Sequence, residues 1–565
     1  MTDPENQRDA GERERRSAEY RRQHPTALPR LDEKQLGVIA EFAQCKTYQN
    51  GQHLLRAGDT AFKFHVIKTG RVEIVDRSSG AARTVLVHGP SEFTGDLANL
   101  AGRASNVDAI ALGDVDVYEI CKPNLQQIIS ERPNLSELIL QTFIARSGAL
   151  VGREDFTGLR VIGSQYSRDT FRIRDFLSKN SVLYTWINVE TDALVGALLE
   201  QFQIRPEETP VVSYADDWML RNPTNSELAQ TIGLKSVISA DTIYDLAIVG
   251  AGPAGLAAAV YGASEGLKTI ILERIAPGGQ AGASTKIENY LGFPTGLSGT
   301  ELAGRATLQA QKFGAQLSTP AQVTKLRFEG KFPVLELEGG ETITAKALLI
   351  ASGAEYRKLP VAGRERFDGA GVYYAATPME AKMCGGEPVA VAGGGNSAGQ
   401  AAIFLAENVR KVFLLIRGDN LQQTMSHYLL QRIEETGNIE VLTHTEITHM
   451  YGTTGLEKVE LSINRSLEKR DLPVAAVFSF IGAKPCSDWL PDEIETDKYG
   501  FVCTGPQVAN SARWNSHRQP FLLETSRAGV FAAGDVRSAS VKRVASAVGE
   551  GSMTVQFVHE YLKEI

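Results

Sequence analysis

The chain has little cysteine and never places two close together: Cys45, Cys121, Cys384, Cys486 and Cys503 are scattered through 565 residues, and no C-x-x-C occurs. A dispersed set, odd in number, excludes a disulfide framework and a zinc site. No uninterrupted apolar run approaches the length of a membrane span, and the N-terminus lacks the apolar core of a secretory signal. A cytoplasmic location without membrane attachment is the expectation. Positive charge is not in excess either. A net charge of −8 and a pI near 5.8 argue against nucleic acid or an anionic membrane as the main partner. What is present is an ordinary globular composition, 43% hydrophobic and 22% charged. The length exceeds what a single core organises, so three or four domains are expected.

Composition shifts divide the chain. Residues 1–30 are dominated by Glu, Asp, Arg and Gln and read as a solvated, disordered arm. From Leu31 to Leu150, short alternating strands with turn glycines suggest a β-roll. Its strands include Phe64–Ile67 and Arg71–Val75, joined through Lys68-Thr69-Gly70, and Val115–Ile120, and a helix striped by Leu135, Leu138, Ile139 and Phe143 follows. Residues 157–235 read strand (Leu159–Gly163), helix (Phe171–Lys179), strand (Tyr184–Val189), helix (Ala193–Phe202), Thr209-Pro210-Val211-Val212, and a last helix from Asn225. The remainder, 241–565, alternates strands and helices in the manner of doubly wound α/β sheets.

Two glycine-rich fingerprints lie in that remainder. Gly250-Ala251-Gly252-Pro253-Ala254-Gly255 follows the apolar run Tyr244–Val249 and opens a helix. Gly393-Gly394-Gly395-Asn396-Ser397-Ala398 follows Pro388–Ala392 in the same way. Glycine there lets backbone turn tightly and approach a pyrophosphate, which rests on the positive helix N-terminus. After the first fingerprint, Thr269–Leu272 ends at Glu273, where a carboxylate can accept from ribose hydroxyls. After the second, Lys411–Ile416 ends without an acid and runs into Arg417, which favours a cofactor with a 2′-phosphate, NADPH, while leaving NADH open. A chain holding two dinucleotides can pass electrons between them.

Further motifs are Gly278-Gly279-Gln280, Ile287-Glu288-Asn289-Tyr290, Leu348–Ala354 and Gly529-Val530-Phe531-Ala532-Ala533-Gly534-Asp535. With these, residues 241–565 resemble the low-molecular-weight thioredoxin reductase family along nearly their whole length. The resemblance implies an FAD fold at 241–361 and 485–565, an NAD(P)H fold at 362–484, and a homodimer. It places FAD against Gly250, Gly252, Pro253, Ala254, Gly255, Glu273 and Arg274, and against Gly279, Gln280, Asn289, Val323, Ala351 and Gly353. It implies that Asp535, after Gly534, meets the ribityl chain, and that a helix from Arg543, Val544 and Ala545 points its N-terminus at the flavin. The pyridine nucleotide would meet Gly393, Gly395, Asn396, Ser397, Ala398 and Arg417.

One departure stands out. The family's redox dithiol follows the Gly-Val strand before the second fold. Here that stretch is Gly371-Val372-Tyr373-Tyr374-Ala375-Ala376-Thr377-Pro378, with Ala375 and Pro378 at the cysteine positions. Neither forms a thiolate, and Cys384, nearest in sequence, is a lone thiol. Residues 157–235 resemble the thioredoxin/glutaredoxin fold, in which Pro210 would take the cis-proline position. Its active-site turn would be Ser164-Gln165-Tyr166-Ser167, again without thiols. The roll resembles the cyclic-nucleotide-binding domain of the catabolite activator family. Gly95 and Asp96 would face the ribose and Arg103 the cyclic phosphate, with Ala104 where that family has a hydroxyl residue.

The expected function is therefore an FAD-dependent NAD(P)H oxidoreductase of thioredoxin reductase type. Electrons would pass to an unidentified small-molecule or protein acceptor without an intrinsic dithiol, and the N-terminal domain would regulate the reaction. The alternatives are a disulfide reductase using a non-standard or partner thiol, and a sensor of NAD(P)H or cyclic nucleotide with little turnover. No metal site is expected.

Overall fold

A computed structural model describes residues 4–57, 59, 63–76, 83–95, 105, 107–151, 159–192, 195, 205, 208–214, 218–234, 242–464, 468–514 and 516–565. The N-terminal residues differ from the expectation of disorder. Pro4–Gln23 forms a helix, and its last turns dock on the roll. Arg21 donates twice to the buried carboxylate of Glu92, at 2.6 and 3.1 Å, and Tyr20 enters the core. A charge-rich composition signals solvation only when no buried counter-charge waits for it, and here Glu92 does.

The roll is an antiparallel sheet in the order Gln44–Tyr48, Asp108–Cys121, Lys63–Asp76, Arg83–His88, with His53–Leu55 also pairing the second of these. The expected turn at Lys68-Thr69-Gly70 is instead an irregularity within one continuous strand. Register shifts fall between Ile67 and Thr69 and between Thr69 and Arg71. Gly70 has φ +83°, and a Cβ there would lie 2.5 Å from the Asp114 carbonyl oxygen, so only glycine lets the strand kink and continue. Phe143 of the helix Pro133–Val151 packs against Phe64 and Phe93, and Leu125, Ile128 and Ile129 of the helix Lys122–Glu131 join the same core.

The third block is a four-stranded sheet in the order Thr185–Asn188, Leu159–Gly163, Val211–Tyr214, Trp218–Arg221. The first pair is parallel and the other two are antiparallel. The Thr209–Pro210 bond is cis. The helix begins at Arg168, three residues earlier than expected, because Ser167 caps it by accepting from the Thr170 amide. The helix expected at Ala193–Phe202 lies largely outside the described residues.

Two doubly wound sheets follow. The first has the order Gln316–Ser318, Thr269–Leu272, Ile243–Val249, Thr342–Ile350, Phe332–Leu337, Val323–Glu329, with Val530–Ala532 added beside Thr342–Ile350. The second is all parallel: Val372–Tyr373, Ala476–Ser479, Val389–Ala392, Val412–Leu415, Ile439–Leu442. The parallel strands Thr269–Leu272, Val389–Ala392, Ala476–Ser479 and Val530–Ala532 are buried on both faces, as parallel sheets require. A two-stranded connector, Ala354–Tyr356 with Ala483–Pro485, joins the sheets. Among the described residues no helix is long and apolar enough to cross a membrane.

Candidate functional site

The strand Ile243–Val249 delivers the first fingerprint to the helix Pro253–Ser264, whose N-cap is Gly252. Gly252 and Gly279 face each other: a Cβ on Gly279 would lie 3.0 Å from the Gly252 Cα. A side chain on either would fill the cradle that a pyrophosphate needs. Glu273 accepts from the Ala251 amide at 2.7 Å and the Ile275 amide at 2.9 Å, which locks the loop and leaves each oxygen a free lone pair for a ribose. Burial pushes its carboxyl up, against the amides of Ile275, Ala251 and Ala276.

A second helix, Val544–Leu562, converges on the same place. A Cβ on its Gly551 would lie 2.1 Å from the Ala254 carbonyl oxygen, so the two helices pack backbone to backbone. Between them Asp535 sits on the wall of a cavity of about 1010 Å³. Burial raises the Asp535 carboxyl, and Lys542 opposes this. The Gly534 amide before it is held by Glu550 at 2.7 Å. Negative charge placed before two helix N-termini is stabilised there, and so is a ligand bearing it.

The cavity gathers most of the residues read from the first fold: Gly250, Gly252, Pro253, Ala254, Glu273, Arg274, Gly279, Gln280, Val323, Ala351, Gly353, Gly534, Asp535, Arg543 and Val544. Three are not on its wall. Gly255 is buried, where its missing Cβ lets the helix close on the Gly250 carbonyl, and Asn289 and Ala545 are exposed. The structure also brings in residues that no motif announced, among them Tyr356, Lys358, Phe480, Cys486 and Trp489. These lie on or beside the connector strands, and only the pairing of Ala354–Tyr356 with Ala483–Pro485 makes them neighbours.

The second fingerprint is more open. Gly393 has φ +137°, and a Cβ there would strike the Phe480 carbonyl at 2.5 Å. Asn396 accepts from the Ser426 amide, and Thr424 donates to the Gly394 carbonyl, both at 2.7 Å. Of this set only Ser397 reaches the cavity; Gly393, Gly395, Asn396, Ala398 and Arg417 do not line it. Arg417 is 74% exposed and lies 3.7 Å from Glu446, a carboxylate brought beside it from another strand.

Ala375 and Ala376 line the same cavity, and Pro378 opens the short helix Pro378–Met383, capped by Thr377 and Glu380. The cysteine-free segment thus lies on the cavity wall. Cys384 is buried, its thiol donates to the Glu380 carbonyl, and burial pushes its pKa up to about 12. It carries no thiolate near neutral pH. Cys486 is on the cavity wall with its thiol also raised by burial. Ser164 and Ser167 are engaged structurally, with Glu190 and as the helix cap. In the roll, Gly95 accepts from Arg146 at 2.6 Å, while Asp96, Arg103 and Ala104 lie outside the described residues. Among the described residues no cluster of metal ligands occurs.

Two doubly wound folds, each with a glycine cradle at a strand-to-helix turn, and a cavity reached by both define a two-dinucleotide oxidoreductase. The chain belongs to the pyridine nucleotide-disulphide oxidoreductase family, whose model matches residues 244–551, and residues 45–132 match the cyclic nucleotide-binding domain. Over 322 residues it is 33% identical to the thioredoxin reductase of Treponema pallidum (strain Nichols), covering 57% of this chain and 98% of that one. It is 31% identical over 318 residues to the 34.2 kDa protein in the rubredoxin operon of Clostridium pasteurianum, covering 56% and 97%. Among solved structures, T. acidophilum thioredoxin reductase aligns at TM-score 0.51 and 28% identity, over 56% of this chain and 98% of that one. The chain is an oxidoreductase of thioredoxin reductase type, a family that uses FAD and NADPH, and the glycine cradle and Asp535 fit such a cofactor.

Proposed function

We propose that the chain is an NAD(P)H-dependent FAD oxidoreductase whose reducing equivalents leave without a dithiol of its own. The carrying observation is the pair Ala375 and Pro378 at the family's cysteine positions, with Ala375 on the cavity wall. FAD, when bound, supplies the capacity to accept a hydride and to release electrons singly or in pairs. Gly252 and Gly279 would admit its pyrophosphate, Glu273 and Asp535 would accept from its hydroxyls, and the N-terminus of Val544–Leu562 would favour negative charge at its ring. Gly395, Asn396 and Ser397 would take the pyridine nucleotide. Tyr373, Tyr374 and Ala376 give this stretch of the wall no thiol, and the Cys486 thiol elsewhere on the wall is raised by burial, so the acceptor must reach the cavity by direct contact. The acceptor is a small molecule or protein still unidentified.

In this reading the domains run 31–150, 157–235, 241–361 with 485–565, and 362–484. The third block would be a thioredoxin-like domain without a redox thiol, a reading its strand order supports. The roll regulates the reductase, and the chain works as a cytoplasmic homodimer. Cyclic nucleotide is a weak ligand of the roll, because Asp96 and Ala104 shorten the cradle; calorimetry with cyclic AMP and cyclic GMP checks this, and sub-micromolar binding lost in Arg103→Ala would reverse it.

The test is a pair of assays. The protein should reduce ferricyanide with NAD(P)H and fail to reduce thioredoxin in an insulin-coupled assay. A variant with all five cysteines replaced by serine should keep ferricyanide turnover to within a few-fold. A folded, flavin-loaded cysteine-free protein that reduces nothing would sink this reading in favour of a hidden thiol. The raised pKa of Cys384 speaks against that thiol, which should resist alkylation at pH 8 in the folded protein.

A further inference from the structure

One wall of the cavity comes from outside the family match. Arg168, Phe171, Asp175 and Lys179 of the helix Arg168–Lys179 line it, and the family match begins only at residue 244. Their spacing is a single helical stripe, while Ile173, Phe176 and Leu177 on the opposite side are buried in the third block's own core. A helix of 12 residues spans about 18 Å.

That helix is fixed to a different nucleotide fold at each end. Beyond its C-terminus, Asn180 donates to the Ile275 carbonyl at 3.0 Å, two residues past Glu273. Near its start, the Phe171 ring lies 5.6 Å from the Tyr373 ring and packs on Gly369, where a Cβ would come within 3.2 Å of it. The helix therefore runs from the end of the first fold's second strand to the segment that has lost its dithiol. Its charges suit an anionic occupant. Lys179 is bridged to Asp175 at 2.7 Å, while Arg168 is exposed and has no ion-pair partner among the described residues.

We propose that the third block is a cofactor-retaining wall: the Arg168–Lys179 helix holds FAD in the cleft, with Lys179 at its Glu273 end and Arg168 at its Tyr373 end, and FAD in turn holds the block on the reductase. This rests on the reading of the cavity as the FAD site. Binding linkage makes the two effects reciprocal. A block pinned at both ends is not a shuttle, which accords with Ser164 and Ser167 serving its own fold.

The experiment is hydrogen exchange on the full-length protein, stripped of FAD and then reloaded, with flavin release followed by fluorescence. FAD should slow exchange at 250–256 and 534–547, and equally at 170–182. The double variant Arg168→Glu/Lys179→Gln, at two exposed positions and checked for an intact fold by circular dichroism, should release FAD at least about tenfold faster, a change of ~1.4 kcal/mol. Protection of 250–256 and 534–547 without protection of 170–182 overturns the proposal and leaves the FAD site standing. Release at the wild-type rate in the double variant overturns it equally. A wild-type protein that takes up no FAD removes the reading of the cavity, and the proposal with it.

Discussion

The two nucleotide folds share a motif and differ in how they enclose it. In the first, Pro253–Ser264 is clasped by Val544–Leu562 through Gly551, Glu273 ties down the glycine loop, and the cavity is walled on several sides. In the second, a Cβ on Gly395 would meet nothing within 4 Å, Asn396 and Ser397 are exposed, and Arg417 stands in solvent. The same turn thus builds an enclosed cradle and an open one. Enclosure slows release by adding contacts that must all break together, so the first cradle suits a resident cofactor and the second one that exchanges every turnover. Besides the connector strands, the ion pair of Arg432 with Glu288 at 2.9 Å links the two folds directly.

The largest effect should come from Gly252→Asp. Its side chain would enter the space facing Gly279 and set a carboxylate against a pyrophosphate. We expect a colourless protein that still binds NADPH, measured by nucleotide fluorescence; loss of both ligands together would break the separation of the two cradles. Asp535→Ala should follow, weakening FAD by about 1.5–3 kcal/mol, the scale of hydrogen bonds to a charged group. Equilibrium flavin titration checks it, and an unchanged affinity would remove Asp535 from the site. Gly395→Asp should then raise the KM for NADPH about tenfold, or ~1.4 kcal/mol, while flavin content stays at the wild-type level. Flavin loss in that variant would show that the open cradle also supports the closed one.

Much of the α/β part was legible because its strands are long apolar runs ending in glycine turns, a signal that does not depend on partners elsewhere in the chain. The strands 389–392 and 412–415 follow that rule directly. What could not be read depends on neighbours distant in sequence. Pro4–Gln23 looks solvated until Glu92, about 70 residues on, receives Arg21. Lys68-Thr69-Gly70 has turn composition yet kinks a strand, because the partner strand carries its own bend at Asp114. Tyr356 and Trp489 reach the cavity through the pairing of two short connector strands, and Phe171 reaches it from another block entirely. Arg417 shows the reverse case. Its strand ends without an acid in sequence, but Glu446 stands beside it in space.

That last pairing sets the smallest prediction. An arginine that reads a 2′-phosphate must be free to turn toward it, and Arg417 is both exposed and shared with Glu446 at 3.7 Å. Exposed ion pairs contribute little, so Glu446 does not hold Arg417 away from a stronger partner. A phosphate carries more charge than a carboxylate and accepts a bidentate pair, which tips the competition toward the nucleotide. Exposure still caps the gain, so Arg417→Ala should narrow the preference for NADPH over NADH by only about 1 kcal/mol, read as the ratio of kcat/KM for the two cofactors. Glu446→Gln should widen the same preference by a few tenths of a kcal/mol, since it removes the competing charge. Equal kcat/KM for NADPH and NADH in the wild-type protein, unchanged in both variants, would show that the open cradle does not read the phosphate through this arginine.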